Sequence, residues 1–160
     1  MERITDTHVF FWGSEFSNWY ECEFDYKGHR FKNSEQAFMW EKAMYFNDTE
    51  IAEKILATPS PNQNKKLGRQ VKGFNSDQWL LVCLDIMVAV NYAKFSQNSS
   101  LSDILSWTGT LTIVEASPYD TIWGIGLHWE DDRVLNESEW RGLNYLGKAL
   151  MEVRNMLNNE

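Results

Sequence analysis

Glu35 and Lys42 stand seven positions apart in the run NSEQAFMWEKAMYF. On a helix that separation returns two side chains to within about 20° of each other. Met39 and Phe46 fall within roughly 40° of the same stripe, and Phe38 about 60° away. A carboxylate and an ammonium thus share an apolar and aromatic face, their backbones about 10 Å apart along the axis. That leaves room for a small ligand between the two heads. Glu35 is also in the first helical turn, where the dipole favours its ionised form. An ionised carboxylate against apolar walls can stabilise a developing cation or activate a water. It can equally be an ordinary first-turn acid, with Lys42 reaching past its stem to solvent. Helical position alone leaves both readings open.

Three other places carry chemistry-bearing residues. Lys65, Arg69 and Lys72 follow spacings of four and three, with Lys66 adjoining. If all lie on one helical face they form a basic patch that could hold a phosphate, or a solvated face. Gly68, just before Arg69, would let another group approach the backbone closely. In SPYDTIWGIG, Asp120 precedes Trp123 and Gly124, pairing a carboxylate with an indole in a loop stiffened by Pro118. The alternative is a turn acid followed by a core tryptophan. Trp79 opens a long apolar helix, as core or as a platform for a flat base beside the helix N-terminus. Asn18, between aromatics in FSNWY, could read a heterocycle or simply make a turn. His8, His29 and His128 lack ligand spacing, and Glu130, Asp131 and Asp132 read as a surface loop. No metal and no cofactor is expected: there is no Walker loop, dinucleotide fingerprint or nucleophile elbow. Cys83 lies in an apolar helix and reads as inert.

The elements that must position these residues follow from punctuation and period. HVFFW is a strand run ended by Gly13, and ECEFDY and KGHRF are joined by a turn at Lys27-Gly28. Asn33 or Ser34 caps a first helix, with Gln36 completing a capping-box spacing from Asn33. A second helix is expected from Asp48 to Ala57. A third runs from Ser60-Pro61 to about Lys72. Ser76 opens a long helix that is apolar nearly all round and therefore central. A short helix spans Leu101 to Trp107, TLTIVEA is a strand, and YDTIWGIGL is a strand or loop. WEDDRVLNES is a polar loop, and a last helix runs from about Glu137 to Leu157. The expected fold is mainly α, an α+β domain of helices around a long central helix with a small β element. No repeat or linker divides residues 1–160, so a single domain is expected.

Composition narrows the function classes. The 160 residues carry 15 basic and 23 acidic side chains, a formal charge of −8. That disfavours non-specific nucleic-acid binding and anionic membranes, both of which need a basic surface. Two cysteines cannot make a disulfide framework. The start MERITDTHVF lacks the apolar core of a signal peptide, and no uninterrupted apolar run suits a membrane span. A soluble cytoplasmic protein is the expectation. Eight tryptophans and 14% aromatics serve cores and flat-ligand pockets alike.

Taken in order, FSNWY, NSEQAFMWEKA, KKLGR, FNSDQW, YAKFSQN, TG before IVEASPYDTIWGIG, and WRGLNYLGKALMEVR resemble the YbiA-like NADAR family over nearly the whole chain. The resemblance implies N-glycosidase chemistry, the cleavage of a ribose C1–N bond. Its substrate would be a phosphoribosylamino pyrimidine of riboflavin synthesis, or ADP-ribose on guanine in nucleic acid. Nucleic acid would enter only as such an ADP-ribosylated substrate, and no membrane or obligate protein partner is implied. The resemblance places the family's functional glutamate on Glu35, its tryptophan on Trp79, its aspartate on Asp120 and its proposed lysine on Lys42. Beside these catalytic expectations (Glu35, Asp120, Lys42), the substrate-binding expectations are Trp79, Trp123, Asn18, Gly68, Arg69 and Gly124. A non-catalytic module that binds NAD or ADP-ribose is the competing class.

Overall fold

The computed structural model describes residues 3–160. They are mainly helical with short strands, in two compact units. One unit is Asn18–Asn98; the other combines the chain up to Ser17 with the chain from Ser99 onward.

The Asn18–Asn98 unit begins with a hairpin of β3 (Phe24–Tyr26) and β4 (His29–Phe31), numbered after two strands of the other unit. Its turn is Lys27-Gly28, with φ of 47° and 82°. Two consecutive positive φ values match the right-handed twist of a two-residue hairpin. Phe31 buries one face of the hairpin against Trp40 of α1 (Ser34–Tyr45), their ring centroids 5.6 Å apart.

The start of α1 is fixed by side chains. Asn33 Oδ1 accepts the Gln36 N–H at 2.8 Å. Gln36 does not return to Asn33, as a capping box would. Its carboxamide instead accepts the Lys32 N–H and donates to the Ile55 and Thr58 carbonyls. It thereby ties α1 to carbonyls at and just beyond the end of α2 (Thr49–Leu56). Asp48 caps α2, and its second oxygen takes the Lys72 N–H at 2.9 Å.

α3 (Pro61–Gly68) begins as expected, with Ser60 as cap and proline at the first position. It ends four residues before the expected Lys72, with Arg69 at its C-cap. Lys72 is therefore not on a helical face with Lys65 and Arg69, because its backbone is held by Asp48. α4 (Ser76–Ser96) is capped by Asn75. It packs on α1 and β3 and has the length and composition of an apolar spanning helix. Asp77 and Asp85 interrupt it, Asn91 and Lys94 are fully buried in it, and Leu80 and Leu81 stay exposed.

In the other unit, β1 (Arg3–Ile4) pairs antiparallel with β2 (His8–Phe11), and β2 pairs parallel with β5 (Thr112–Glu115). Phe10, Val114, Ala116, Ile125 and Leu127 form its core. α5 (Ser99–Trp107) precedes β5, and α6 (Tyr145–Asn158) closes the chain and packs on β5. The expected start of α6 near Glu137 is corrected to Tyr145. Residues 137–139 make only a 3-10 turn. Beyond it, the N–H groups of Arg141, Leu143, Asn144 and Tyr145 donate to carbonyls of residues 121–125. Those donors are engaged by the YDTIWGIG segment, which is a loop, so the helix starts only after them. Gly142 permits the approach: a Cβ there would lie 2.1 Å from the Gly124 carbonyl oxygen.

Candidate active site

α1 places Glu35, Met39 and Lys42 on one stripe, as the spacing required. Glu35 is buried at 9% exposure, and its N–H donates to the Asn18 carbonyl at 2.9 Å. The segment carrying Asn18 therefore anchors the turn that carries the acid. Lys42 does not reach freely into solvent. It is half-buried, with Nζ 4.3 Å from the Phe74 ring centroid. A cation over an aromatic face gains about 0.5–1 kcal/mol at a partly exposed site. Burial holds the Lys42 ammonium below the ordinary lysine range; attraction to Glu35 opposes this and repulsion from Arg69 adds to it. A lysine so placed has more of its neutral, nucleophilic form near neutral pH than a surface lysine does.

α3 brings Arg69 into electrostatic range of Lys42. Gly68 is buried, and what approaches it is protein: a Cβ there would lie 2.1 Å from Met39 Sδ. Its bare backbone lets α3 lie close against the Glu35–Lys42 stripe. Arg69, one residue on, is exposed. Trp79 packs on Phe38, Tyr45 and Phe46 with centroids 5.3, 5.9 and 6.1 Å away. Its indole thus joins α4 to α1. Phe46 touches Phe74 in turn, so the ring over Lys42 belongs to the same aromatic cluster.

Asn18, Glu35, Lys42, Gly68, Arg69 and Trp79 all belong to the Asn18–Asn98 unit. Asp120, Trp123 and Gly124 belong to the other. There, Asp120 Oδ1 accepts the N–H groups of Ile122 and Trp123 at 2.9 and 2.8 Å. That is the turn-building role of aspartate. Trp123 sits edge-on to Tyr145, 5.9 Å away. Gly124 is enclosed, its absent Cβ within 3.0 Å of the Asp120 and Glu115 carbonyl oxygens.

The sequence marks Asn18 as a candidate site residue, but not Ser34 or Asn64. Asn18 Oδ1, Ser34 Oγ and both amide atoms of Asn64 are buried without a hydrogen-bond partner. Asn64 follows Gly68 backwards by one turn, so the close packing at that glycine was the one available signal. Phe74 gave none, since it lies in a turn before α4. Lys94, in the last turn of α4, is fully buried, 5.6 and 5.0 Å from the ring centroids of Tyr20 and Phe95. Among the described residues no three histidine, cysteine or carboxylate side chains cluster as metal ligands.

A family model described as the NADAR domain matches residues 10–158, across both units. An N-glycosidase of Acanthamoeba polyphaga mimivirus is 40% identical, covering 94% of this chain and 96% of its own. The chloroplastic riboflavin biosynthesis protein PYRR of Zea mays is 29% identical over 88% of this chain, which spans 20% of that protein. The NMR structure of the Escherichia coli protein YbiA superposes with a TM-score of 0.79 at 27% identity, covering 98% of this chain and 88% of that one.

Proposed function

The chain belongs to the NADAR domain family, and from that premise we propose that it is an N-glycosidase hydrolysing the ribose C1–N bond of a phosphorylated N-riboside. The substrate we favour is a phosphoribosylamino pyrimidine of riboflavin synthesis, with residues 1–160 acting as one domain. The observation that carries the reading is the juxtaposition of Glu35, Lys42 and Arg69 on the facing sides of α1 and α3. It offers a carboxylate for the reacting carbon, a desolvated amine and a guanidinium for phosphate.

Breaking the C1–N bond sends its electron pair to nitrogen, which takes up a proton, and leaves positive charge on C1 and the ring oxygen. Glu35 stabilises that charge and accepts a proton from the water that adds to C1. Arg69 holds the phosphate by charge-assisted hydrogen bonds. The half-buried state of Lys42 favours a second route. In the ring-opened sugar C1 is doubly bonded to the base nitrogen. The neutral Lys42 amine adds to C1 and expels that nitrogen as the amine with a proton from Lys42, and water later hydrolyses the resulting Lys42 imine. Asp120 and Trp123 enter the proposal through the family resemblance, as residues that orient and stack on the substrate.

The test is direct hydrolysis. The protein is incubated with the phosphoribosylamino pyrimidine, with NAD, and with an oligonucleotide bearing ADP-ribosylated guanine. Chromatography follows ribose phosphate, nicotinamide and guanine, with Glu35→Gln alongside. Release from the first substrate is expected, falling at least roughly a hundredfold in kcat in the variant. Release from the oligonucleotide alone would assign ADP-ribosyl hydrolysis instead. No release, with saturable tryptophan quenching by the same compounds, would make the chain a binding module.

A further inference from the structure

We propose that Asn64 is a positioning residue for Glu35, its carboxamide meeting the Glu35 carboxylate through one buried water. The inference deepens the glycosidase reading and rests on it for what the carboxylate is positioned to do.

The argument begins with register. α1 and α3 start side by side, since Asn33 Nδ2 donates to the Pro59 carbonyl at 2.9 Å. Further along, Gly68 receives Met39, and one residue beyond Gly68 is Arg69, which acts on Lys42. The two helices therefore run in the same direction. One turn before Met39 on the same face is Glu35; one turn before Gly68 on the same face is Asn64. The pairing that continues the series is Glu35 with Asn64.

Burial supplies the second observation. Asn64 is 0% exposed, and neither Oδ1 nor Nδ2 has a hydrogen-bond partner among the described residues. The neighbouring α3 residues Asn62, Gln63, Lys65 and Lys66 are exposed. A carboxamide enclosed this way loses its hydration at both ends with no return, whereas a valine or leucine would fill the space freely. Two groups next to Glu35 show the same pattern. Ser34 Oγ, beside Glu35 in the chain, and Asn18 Oδ1, from the residue whose carbonyl holds the Glu35 N–H, are also buried and unpartnered. Unpaired buried groups of this kind suit a buried water, which characteristically makes about three hydrogen bonds. Along this stripe Lys42 of α1 and Arg69 at the end of α3 interact electrostatically. Asn64 adds the neutral donor, which favours the ionised carboxylate without adding charge.

The experiment reads Glu35 itself and needs no substrate. The side-chain carboxyl of Glu35 is titrated by carbon-13 NMR in the wild-type protein and in Asn64→Val, with hydrolysis measured in parallel. Loss of the donor is expected to raise the Glu35 midpoint by about one pH unit. The acidic limb of kcat should move with it, kcat should fall about tenfold, and KM should stay unchanged. A space-filling Asn64 would move none of the titration midpoint, the acidic limb or the kcat-to-KM split. Asn64→Ser, which keeps a hydroxyl, is expected to recover part of the shift relative to Asn64→Ala. That pair also decides the matter should Asn64→Val fail to fold. An unchanged Glu35 midpoint overturns the assignment whether or not the protein hydrolyses anything. A shifted midpoint in a protein inert toward every N-riboside keeps the assignment and removes the glycosidase reading.

Discussion

The first turn of α1 and the loop after β5 each hold a carboxylate among aromatic side chains, and they spend their hydrogen bonds in opposite ways. In the loop, polar side chains build backbone shape. Asp120 Oδ1 takes two N–H groups of its own turn. Asn144, buried and in the left-handed region at φ 52°, accepts from Glu115 N and donates to the Ile113 carbonyl. Gly142 and Gly147 lie where a Cβ would meet carbonyl oxygens at 2.1 and 2.0 Å. Next to Glu35, by contrast, Asn18 Oδ1 and Ser34 Oγ hold nothing in the protein, and neither does the Asn64 amide of α3. A polar side chain that closes a turn lowers the cost of its own burial. One that is enclosed without a partner costs about 1–3 kcal/mol, and points to something other than folding.

The largest effect that separates the two regions is mechanical. Gly142→Ala pushes a methyl into backbone, which cannot give, so a stability loss of about 3 kcal/mol is expected by urea denaturation. Gly68→Ala meets Met39, whose flexible thioether can swing away, so about 1 kcal/mol is expected there. Equal losses would show that the helical pair is as rigid as the loop and break the contrast.

The next effect concerns Lys42. An amine attacks only when unprotonated, and burial favours that form. Its nucleophilic fraction therefore grows, as pH rises, at values below the ordinary lysine midpoint of about 10.4. Borohydride added during turnover is expected to trap a sugar adduct on Lys42, in a yield that rises along that curve. Absence of any adduct assigns Lys42 to charge stabilisation and leaves Glu35 with water as the working pair.

The smallest effect sharpens the loop side. Asp120→Asn retains the Oδ1 acceptor of the turn, so a stability change of about 0.5 kcal/mol or less is expected. Against that quiet background, a fall in kcat would isolate the charge of Asp120 from its shape-making role. A large loss of stability would show that the carboxylate's charge, and not its acceptor geometry, holds the loop.

Much of this was legible in the sequence because it depends on local rules. The Ser60 cap and the choice of Asn33 or Ser34 as the first cap are read from residue type and spacing, and the Lys27-Gly28 turn from two adjacent residues; the caps Asp48 and Asn75 emerge from the structure. The shared face of Glu35 and Lys42 follows from the helical period alone. Two boundaries were not legible. Lys72 leaves the helix because Asp48, 24 residues earlier, takes its N–H. α6 starts late because the 121–125 loop takes the donors a first turn would have used. In both, a distant acceptor outcompeted a local preference that the sequence states correctly.

The same division holds at the candidate site. Sequence determined which residues carry charge, where α1 and α3 begin, and that a carboxylate and an amine share a stripe. Only tertiary structure decided that Phe74 covers the amine, that Met39 fills the space over Gly68, and that Asn64 is fully buried with its amide unpaired. The reason is physical: periodicity sets the direction of a side chain from its own helix. Desolvation and pairing depend on the surface that another helix brings against it.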